Sequence, residues 1–148
     1  MVKFTVFGEA RGKGRPRFSK VGRYVRTYTD EMTINYETLV KLSYLESNCE
    51  SFLNGEPLKS KITIYQQIPK SVSKKKYQKM LDREIAPTKK PDIDNVLKSL
   101  FDGLNGVAFK DDTQIVSLTC EKLYDVVPRV EVVIERIEGV DSCQWSVK

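Results

Sequence analysis

The chain has 148 residues, a net charge of +5 and 40% apolar residues, which suits one domain built around one hydrophobic core. It contains no histidine, which excludes Ser-His-Asp and Cys-His catalysis and histidine-based zinc sites. Any chemistry must therefore use carboxylates, lysines, tyrosines or a metal ion held by oxygen atoms.

The first part of the chain predicts a strand, an exposed loop or hairpin, and a helix. Residues 2–7 (VKFTVF) are apolar and β-branched, which is typical of a strand. The Gly- and Arg-rich segment 8–28 has no periodic apolar face, so we expect an exposed loop or hairpin with strand character at 23–28. Thr29 is the expected cap of a helix over residues 30–47. Its apolar positions fit helical spacing moderately: Met32, Tyr36, Leu39, Val40 and Leu42.

The middle of the chain predicts a strand and two further helices. Residues 59–69 alternate in polarity and indicate a strand. The strongly basic segment 70–91 predicts a short helix with Ser71 or Ser73 as its cap. A second, amphipathic helix follows, and Asn105-Gly106 ends it. Its apolar stripe must face the core: Ile93, Leu97, Leu100, Phe101 and Leu104.

The last part of the chain predicts two strands. Residues 113–126 and 129–137 both alternate in polarity, and Pro128 between them indicates a hairpin. Residues 138–148 form a tail that we leave unassigned. The order of elements predicts one layered α/β (α+β) domain over residues 1–148, with a mixed β-sheet flanked by helices.

Two features bear on location and redox chemistry. The N-terminal residues 1–10 lack the apolar run of a secretory signal, and no window is long and apolar enough to cross a bilayer. We therefore expect a cytoplasmic protein without a membrane partner. Cys49, Cys120 and Cys143 are odd in number and lack metal-ligand spacing, so free thiols are expected.

Two aspartates stand at the predicted start of the amphipathic helix. Pro91 favours an extended entry, which places Asp92 before the helix and Asp94 at or near its N-cap. Lys98 and Asp102 follow Asp94 at four-residue steps, so these three side chains share one face of the helix. The sequence therefore predicts two carboxylates at the helix start and a lysine one turn further along.

A second acidic pair, Asp111 and Asp112, lies between this helix and the next strand. The connection is short, so we expect one member of the pair to approach Asp92 and Asp94. Three converging carboxylates repel each other unless they take up protons or bind a cation. Oxygen donors without histidine favour Mg²⁺ or Mn²⁺ over zinc. Such an ion activates water and neutralises charge on phosphate oxygens.

The same residues also have a purely structural explanation. Asp-x-Asp-Asn at a helix start commonly caps the helix, and Asp-Asp before a strand commonly forms a turn. An EF-hand is excluded because Val96 and Leu97 occupy positions that need a ligand and a glycine. Residues 12–17 (GKGRPR) do not form a phosphate loop. The absence of histidine and the concentration of acidic residues in a basic chain favour the metal site.

Three segments of the chain resemble one family. Residues 90–124 (KPDIDNVLKSLFDGLNGVAFKDDTQIVSLTCEKLY) closely resemble the signature region of the RusA-type Holliday-junction resolvases. Residues 12–19 (GKGRPRFS) and 24–29 (YVRTYT) are similar to the start of many members, so the resemblance spans about residues 2–137. It implies a RusA-like fold and a small Mg²⁺-dependent endonuclease of bacteria or their phages.

The resemblance implies metal-binding and catalytic roles for Asp92, Asp94 and Asp112 and a catalytic role for Lys98. This lysine could orient or deprotonate the attacking water, or contact the scissile phosphate. Asp111 remains an alternative to Asp112, because adjacent side chains of an extended chain point in opposite directions. Further positions that match the family motif are second-shell candidates: Asn95, Asp102, Asp111 and Gln114.

Two basic blocks flank the acidic region, and the first of them is interleaved with Phe18, Tyr24 and Tyr28. Such residues neutralise DNA phosphates without reading bases. A solvated basic face is the alternative explanation for either block alone. The predicted DNA-binding residues are Lys13, Arg15, Arg17, Arg23, Lys74, Lys75 and Lys76.

We predict a Mg²⁺-dependent endodeoxyribonuclease, with Mn²⁺ as a substitute, that resolves four-way junctions by paired symmetric nicks. It would act in DNA recombination and repair or in phage DNA processing, without a small-molecule cofactor. A two-fold symmetric junction calls for a homodimer, and residues 30–47 and 107–109 are candidate interfaces. The alternatives are a branched-DNA-binding protein that does not cut, and a metal nuclease for flaps or linear duplex.

Overall fold

The computed structural model describes residues 1–14, 17–28 and 31–139. The predicted cap Thr29 and residues 140–148 lie outside the described residues. The elements, in chain order, are β1 (Val2–Phe7), β2 (Arg17–Val21), β3 (Tyr24–Tyr28), α1 (Glu31–Glu46), β4 (Leu58–Gln67), α2 (Lys74–Leu81), α3 (Ile93–Leu104), a 3₁₀ turn (Asp112–Gln114), β5 (Ile115–Asp125) and β6 (Arg129–Arg136).

Four strands form one mixed sheet in the order β1-β6-β4-β5. Strand β6 pairs antiparallel with both β1 and β4, whereas β4 and β5 run parallel. Strands β2 and β3 form a separate antiparallel hairpin. The predicted α+β class with a mixed sheet is confirmed. No helix within the described residues is long and apolar enough to cross a membrane.

The predicted hairpin between the last two strands is wrong. Strand β6 does not pair with β5 but lies between β1 and β4, so the connection after β5 crosses the end of β4. Arg129 stabilises this connection. Its guanidinium lies 3.2 Å from the Asp125 carboxylate and 3.9 Å from the centre of the Tyr65 ring. Pro128 therefore marks a crossover between non-adjacent strands.

The core lies between one face of the sheet and the helices α1 and α3. Alternate residues of β4 point into it, and Leu58, Ile62 and Ile64 are fully buried. The two helices meet where Gly103 has no side chain: a Cβ there would lie 2.7 Å from the Glu37 carbonyl oxygen. Small residues thus allow α3 to approach the backbone of α1 closely.

The buried face of α1 differs from the apolar pattern in its sequence. Its buried residues are Thr33, Tyr36, Val40 and Tyr44. Met32, Leu39 and Leu42 are instead 48%, 41% and 50% exposed. The reason is geometric: the narrow contact with α3 selects the face that fits it, and the remaining apolar residues point outward.

Helix α3 contacts the core with more residues than its apolar stripe predicted. Leu100 and Leu104 are fully buried as expected, and so are Val96 and Ser99. The end of the helix is as predicted, because Gly106 adopts a left-handed conformation with φ 81°. In the candidate dimer surface 107–109, however, Ala108 and Phe109 are fully buried and Val107 is only partly exposed, so this segment offers little area to a partner.

Candidate active site

The chain segment that leads into α3 is tied to the sheet by side chains of β4 and β5. The Lys122 ammonium donates hydrogen bonds to the carbonyl oxygens of Lys89 and Pro91, at 2.9 and 3.1 Å. Gln66 Nε2 donates to the Lys90 carbonyl oxygen at 3.1 Å. These contacts fix the point at which the chain enters α3, and so the position of the two aspartates there.

Asp92 is the N-cap residue of α3, in an extended conformation with φ −72° and ψ 146°. Asp94 was predicted at or near the N-cap. It lies two residues after the N-cap, inside the first turn of α3. The Asp92 side chain makes no capping hydrogen bond to the helix. Asp92 Oδ2 instead accepts a long hydrogen bond from Asn95 Nδ2, at 3.4 Å. Both carboxylates are exposed and open to a ligand.

Lys98 lies one turn beyond Asp94 on α3, as the spacing predicted. Its side chain is exposed, and it forms no ion pair within residues 1–14, 17–28 and 31–139. Its ammonium group is thus free to meet a bound anion.

The two aspartates of the second acidic pair, Asp111 and Asp112, make different contacts. Asp111 caps the 3₁₀ turn: Oδ1 accepts from the Asp112 amide at 2.9 Å, and Oδ2 accepts from Thr113 Oγ1 at 2.9 Å. Both of its oxygens are therefore engaged locally. Asp112 is half-buried and does not cap the turn, so it is the member of the pair that has no capping role.

Gln114 is buried, and hydrogen bonds engage its whole amide group. Oε1 accepts from the backbone amides of Lys110 and Asp111, at 2.8 and 3.2 Å. Nε2 donates to the carbonyl oxygens of Phe52 and Glu56, both at 3.0 Å. This residue joins the 3₁₀ turn to the loop before β4, which is a structural role.

The environment of Asp112 raises the pKa of its carboxyl group. The causes are burial, then the neighbouring charge of Asp111 and a side-chain hydrogen bond with it, and last the charge of Asp102, partly opposed by a backbone hydrogen bond. Asp92 and Asp94 are not among the charges that act on it. In the part of the chain that the structure describes, no three acidic or cysteine side chains come close enough to hold a metal ion.

The donor chemistry nevertheless fits a hard divalent ion. Mg²⁺ is usually held by one or two carboxylates, with waters and substrate phosphates completing its coordination. Asp92 and Asp94 supply two exposed carboxylates whose oxygens do not cap the helix. A contribution from Asp112 stays a prediction.

The segment of residues 9–14, here called the N-terminal arm, lies against α1 and α3. Ser99 Oγ donates to the Arg11 carbonyl oxygen at 2.7 Å, and the Lys13 amide donates to the Asn95 carbonyl oxygen at 3.1 Å. Gly12 makes this contact possible, because a Cβ there would lie 2.9 Å from Asn95 Cβ. The arm is thus held against the same helix turn that carries the acidic pair.

Lys13 and Asp102, predicted to serve separate roles, form an ion pair with each other. The Lys13 ammonium also lies 3.9 Å from a Glu37 carboxylate oxygen. The hydrogen bond to Asp102 raises the pKa of Lys13, partly opposed by burial. Lys13 thus links the arm to both helices, and its charge is already compensated.

The other predicted DNA-binding residues are distributed over two surfaces. Arg15 lies outside the described residues, and of Arg17 only the backbone in β2 is described. Arg23 is exposed in the turn of the β2–β3 hairpin. The remaining three, Lys74, Lys75 and Lys76, are exposed in the first turn of α2, whose N-cap Ser73 accepts from the Lys76 amide at 3.3 Å.

A cleft of about 530 Å³ lies where the N-terminal arm meets the start of α3. Residues of the helix start, Asp92 and Asn95, line it together with Arg11, Lys13 and Lys90. Arg11 belongs to the first basic block of the sequence, but its position beside the acidic residues was not predicted, and neither was that of Lys90. No local pattern could show this proximity, because the cleft joins segments that are far apart in the chain.

Comparison with known proteins gives two findings. The family described as Endodeoxyribonuclease RusA matches residues 8–135 of the chain. The chain is also 38% identical over 140 residues to the "Uncharacterized protein YqaN" of Bacillus subtilis (strain 168), which covers 93% of this chain and 98% of that protein. The family match includes the arm, both acidic pairs, strands β2 to β5 and all of β6 except its last residue, and it begins directly after β1.

Proposed function

Because the chain belongs to the RusA endodeoxyribonuclease family, we propose that it is a Mg²⁺-dependent endonuclease that resolves four-way DNA junctions by paired symmetric nicks. Family membership makes it a DNA-cleaving hydrolase. Recognition of the junction, the metal and the pairing of the nicks are the parts that we propose.

One observation carries the proposal: the Asp92 carboxylate stands at the N-cap of α3 without capping the helix. A structural aspartate at this position would accept a hydrogen bond from the second or third backbone amide of the helix. Asp111 shows what such a residue looks like in the same protein, because both of its oxygens accept local hydrogen bonds. The Asp92 carboxylate accepts a long side-chain hydrogen bond from Asn95 Nδ2 but none from the helix backbone, and we infer that the exposed carboxylates of Asp92 and Asp94 are metal ligands.

In this proposal Asp92, Asp94 and Asp112 hold Mg²⁺, and Mn²⁺ substitutes for it. The bound ion would lower the pKa of a water molecule and neutralise charge on the phosphate that is cleaved. The protein supplies the carboxylates and fixes their position through the contacts of Lys122 and Gln66 with the entry to α3.

Lys98 is the proposed proton-transfer or phosphate-contacting residue. It lies one helical turn beyond Asp94, on a surface open to solvent, and no carboxylate of the described chain neutralises it. A free ammonium at this position can orient the attacking water or bind a phosphate oxygen.

A homodimer would place two such sites at the two strands of a symmetric junction. The outward face of α1 supports this part of the proposal, because it exposes apolar side chains that soluble monomers usually bury or scatter. Those on α1 are Met32, Ile34, Leu39, Leu42 and Leu45.

The test is cleavage of an end-labelled four-way junction in Mg²⁺, beside a flap and a linear duplex of identical arm sequence. The Asp94→Asn variant is compared with Asp82→Asn, which removes an exposed carboxylate at the end of α2. We expect symmetric nicks in the junction, retained in Asp82→Asn and lost in Asp94→Asn. Preferential cutting of the flap or duplex would replace the proposed substrate. Tight junction binding without cutting would favour a DNA-binding protein.

A further inference from the structure

We propose that the cleft between the N-terminal arm and α3 binds one nucleotide of the DNA strand, and that Arg11 binds the phosphate of this nucleotide. The inference rests on the proposed function, since it places the nucleotide next to the scissile phosphate. It assigns Arg11 a role in positioning the strand that the acidic residues alone do not provide.

The first argument is that the backbone of Arg11 is held in place. Its carbonyl oxygen accepts a hydrogen bond from Ser99 Oγ at 2.7 Å, and two residues later the Lys13 amide bonds to the Asn95 carbonyl oxygen at 3.1 Å. Gly12 between them touches Asn95 so closely that a Cβ would not fit without movement. The guanidinium therefore extends from a fixed backbone at a set distance from the turn that carries Asp92.

The second argument is charge. Within the described residues, no carboxylate pairs with Arg11; its guanidinium contacts Met32 Sδ at 4.0 Å. Lys90, which lines the same cleft, is exposed and equally unpaired in the described part of the chain. Lys13, by contrast, is compensated by Asp102 and Glu37. Two uncompensated cations thus line the cleft together with Asp92, which is an arrangement suited to a phosphodiester.

The third argument is size and lining. A volume of about 530 Å³ falls within the usual range for sites that take a small organic group. Met32 and Pro91 provide apolar surface in the same cleft, against which a sugar or a base can pack. An arginine binds phosphate oxygens with two parallel hydrogen bonds, so it can fix the orientation of the strand as well as attract it.

The experiment is a double-mutant cycle between the protein and the DNA. Junctions are prepared in which one phosphate at a time, on each side of the scissile bond, is replaced by a neutral methylphosphonate. Wild type and Arg11→Gln are compared for kcat/KM in Mg²⁺ and for Kd in Ca²⁺. We expect Arg11→Gln to weaken binding of the unmodified junction by about 10- to 100-fold. One methylphosphonate position should weaken wild type by a similar factor and leave Arg11→Gln unchanged.

Two further variants separate a specific contact from a general loss of charge. Lys61→Gln removes an exposed cation from the sheet face opposite α1 and α3, and we expect it to remain sensitive to every methylphosphonate that weakens wild type. Arg11→Lys keeps the charge but loses the paired hydrogen bonds, so an intermediate loss is expected. Because Arg11 is exposed, Arg11→Gln should melt at the temperature of wild type.

The inference is overturned if Arg11→Gln binds like wild type, or if it remains as sensitive as wild type to every methylphosphonate. Failure of the proposed function looks different. If wild type binds the junction without cutting it, the Kd cycle still decides whether Arg11 contacts one phosphate. If wild type binds no DNA in Ca²⁺, the nucleotide site is wrong whatever the substrate of the enzyme.

Discussion

Lys13 of the N-terminal arm and Asp102 of α3 form an ion pair, and Glu37 of α1 lies 3.9 Å from the same ammonium group. One side chain thereby joins the arm to both helices that cover the sheet. Lys13 and Asp102 are 37% and 32% exposed, so solvent screens the pair, and its contribution to stability should be small. Its main effect is to hold the arm where Arg11 borders the cleft.

A double-mutant cycle of Lys13→Met and Asp102→Asn should give a coupling free energy of about 0.2–1 kcal/mol, measured by denaturant unfolding. The pKa of Lys13 is raised above its ordinary 10.5 in the folded protein. The pair therefore stabilises fully below pH 10.5, and its contribution disappears as the pH rises through the folded-state pKa. A coupling that persisted well above that range would contradict the assignment.

Asp112→Asn should raise the melting temperature in metal-free buffer by roughly 1–3 °C while abolishing cleavage. Burial and the charges of Asp111 and Asp102 raise the pKa of Asp112. An aspartate whose pKa is raised on folding destabilises the protein increasingly as the pH rises above 3.8, and the full effect remains at neutral pH.

Saturating Mg²⁺ provides the check on that variant. Mg²⁺ should raise the melting temperature of wild type and raise that of Asp112→Asn less, because one proposed ligand is missing. Asp82→Asn is the control and should respond to Mg²⁺ like wild type. An equal response of all three proteins would remove Asp112 from the proposed metal site.

Lys98→Gln should lower kcat by about 10²- to 10⁴-fold, the usual contribution of a proton-transfer residue. The side chain is exposed, so the melting temperature should stay within about 1 °C of wild type. Single-turnover cleavage together with Kd in Ca²⁺ separates the two proposed roles. Loss of rate at unchanged Kd indicates a role in the chemical step, whereas parallel losses indicate a phosphate contact.

Alanine at two glycines should affect different properties of the protein. Gly103→Ala places a Cβ 2.7 Å from the Glu37 carbonyl oxygen, between the two helices of the core, and should lower the melting temperature by about 3–8 °C. Gly12→Ala meets Asn95 Cβ at 2.9 Å and should displace only the arm. We expect it to cost about 10- to 100-fold in cleavage with little change in melting. Equal thermal losses in both variants would show that the arm supports the core.

Gln114→Leu should destabilise the protein by about 2–4 kcal/mol, because it leaves buried amides and carbonyl groups without partners. The partners lost are the backbone groups of Lys110, Asp111, Phe52 and Glu56. Denaturant unfolding beside Gln78→Leu, which removes an exposed side chain on α2, measures the difference. A variant with normal stability and impaired Mg²⁺ binding would assign Gln114 to the metal site instead.

Local sequence patterns were sufficient for most elements of the fold. The alternation in residues 59–69 and the Asn105-Gly106 stop both predicted elements close to those found, β4 (Leu58–Gln67) and the end of α3. The order of strands could not be predicted in this way. The connection through Pro128 has the length of a hairpin, yet β6 joins β4 and β1 because hydrogen bonding between distant segments decides the sheet.

In the candidate site, too, local patterns predicted the positions along a helix but not the contacts between distant segments. The sequence was enough to predict Asp92 and Asp94 at the start of α3 and Lys98 one turn beyond Asp94. That they form one site stays a prediction. The cleft beside them depends on the arm reaching α3, and nothing local to Arg11 or to Asn95 indicates that contact. The choice of Asp112 over Asp111 likewise required the capping hydrogen bonds of the 3₁₀ turn.

The position of β6 in the sheet has a consequence for biosynthesis. Every backbone partner of β1 in the sheet lies in β6, from Val2 opposite Ile134 to Phe7 opposite Arg129. The first strand to leave the ribosome, β1, therefore cannot pair until the last strand, β6, has been synthesised. A nascent chain that ends before Arg129 lacks the strand that joins β1 to β4, although β4 and β5, whose side chains hold the entry to α3, can already pair with each other. The four-stranded sheet is therefore completed only when most of the sequence has been translated.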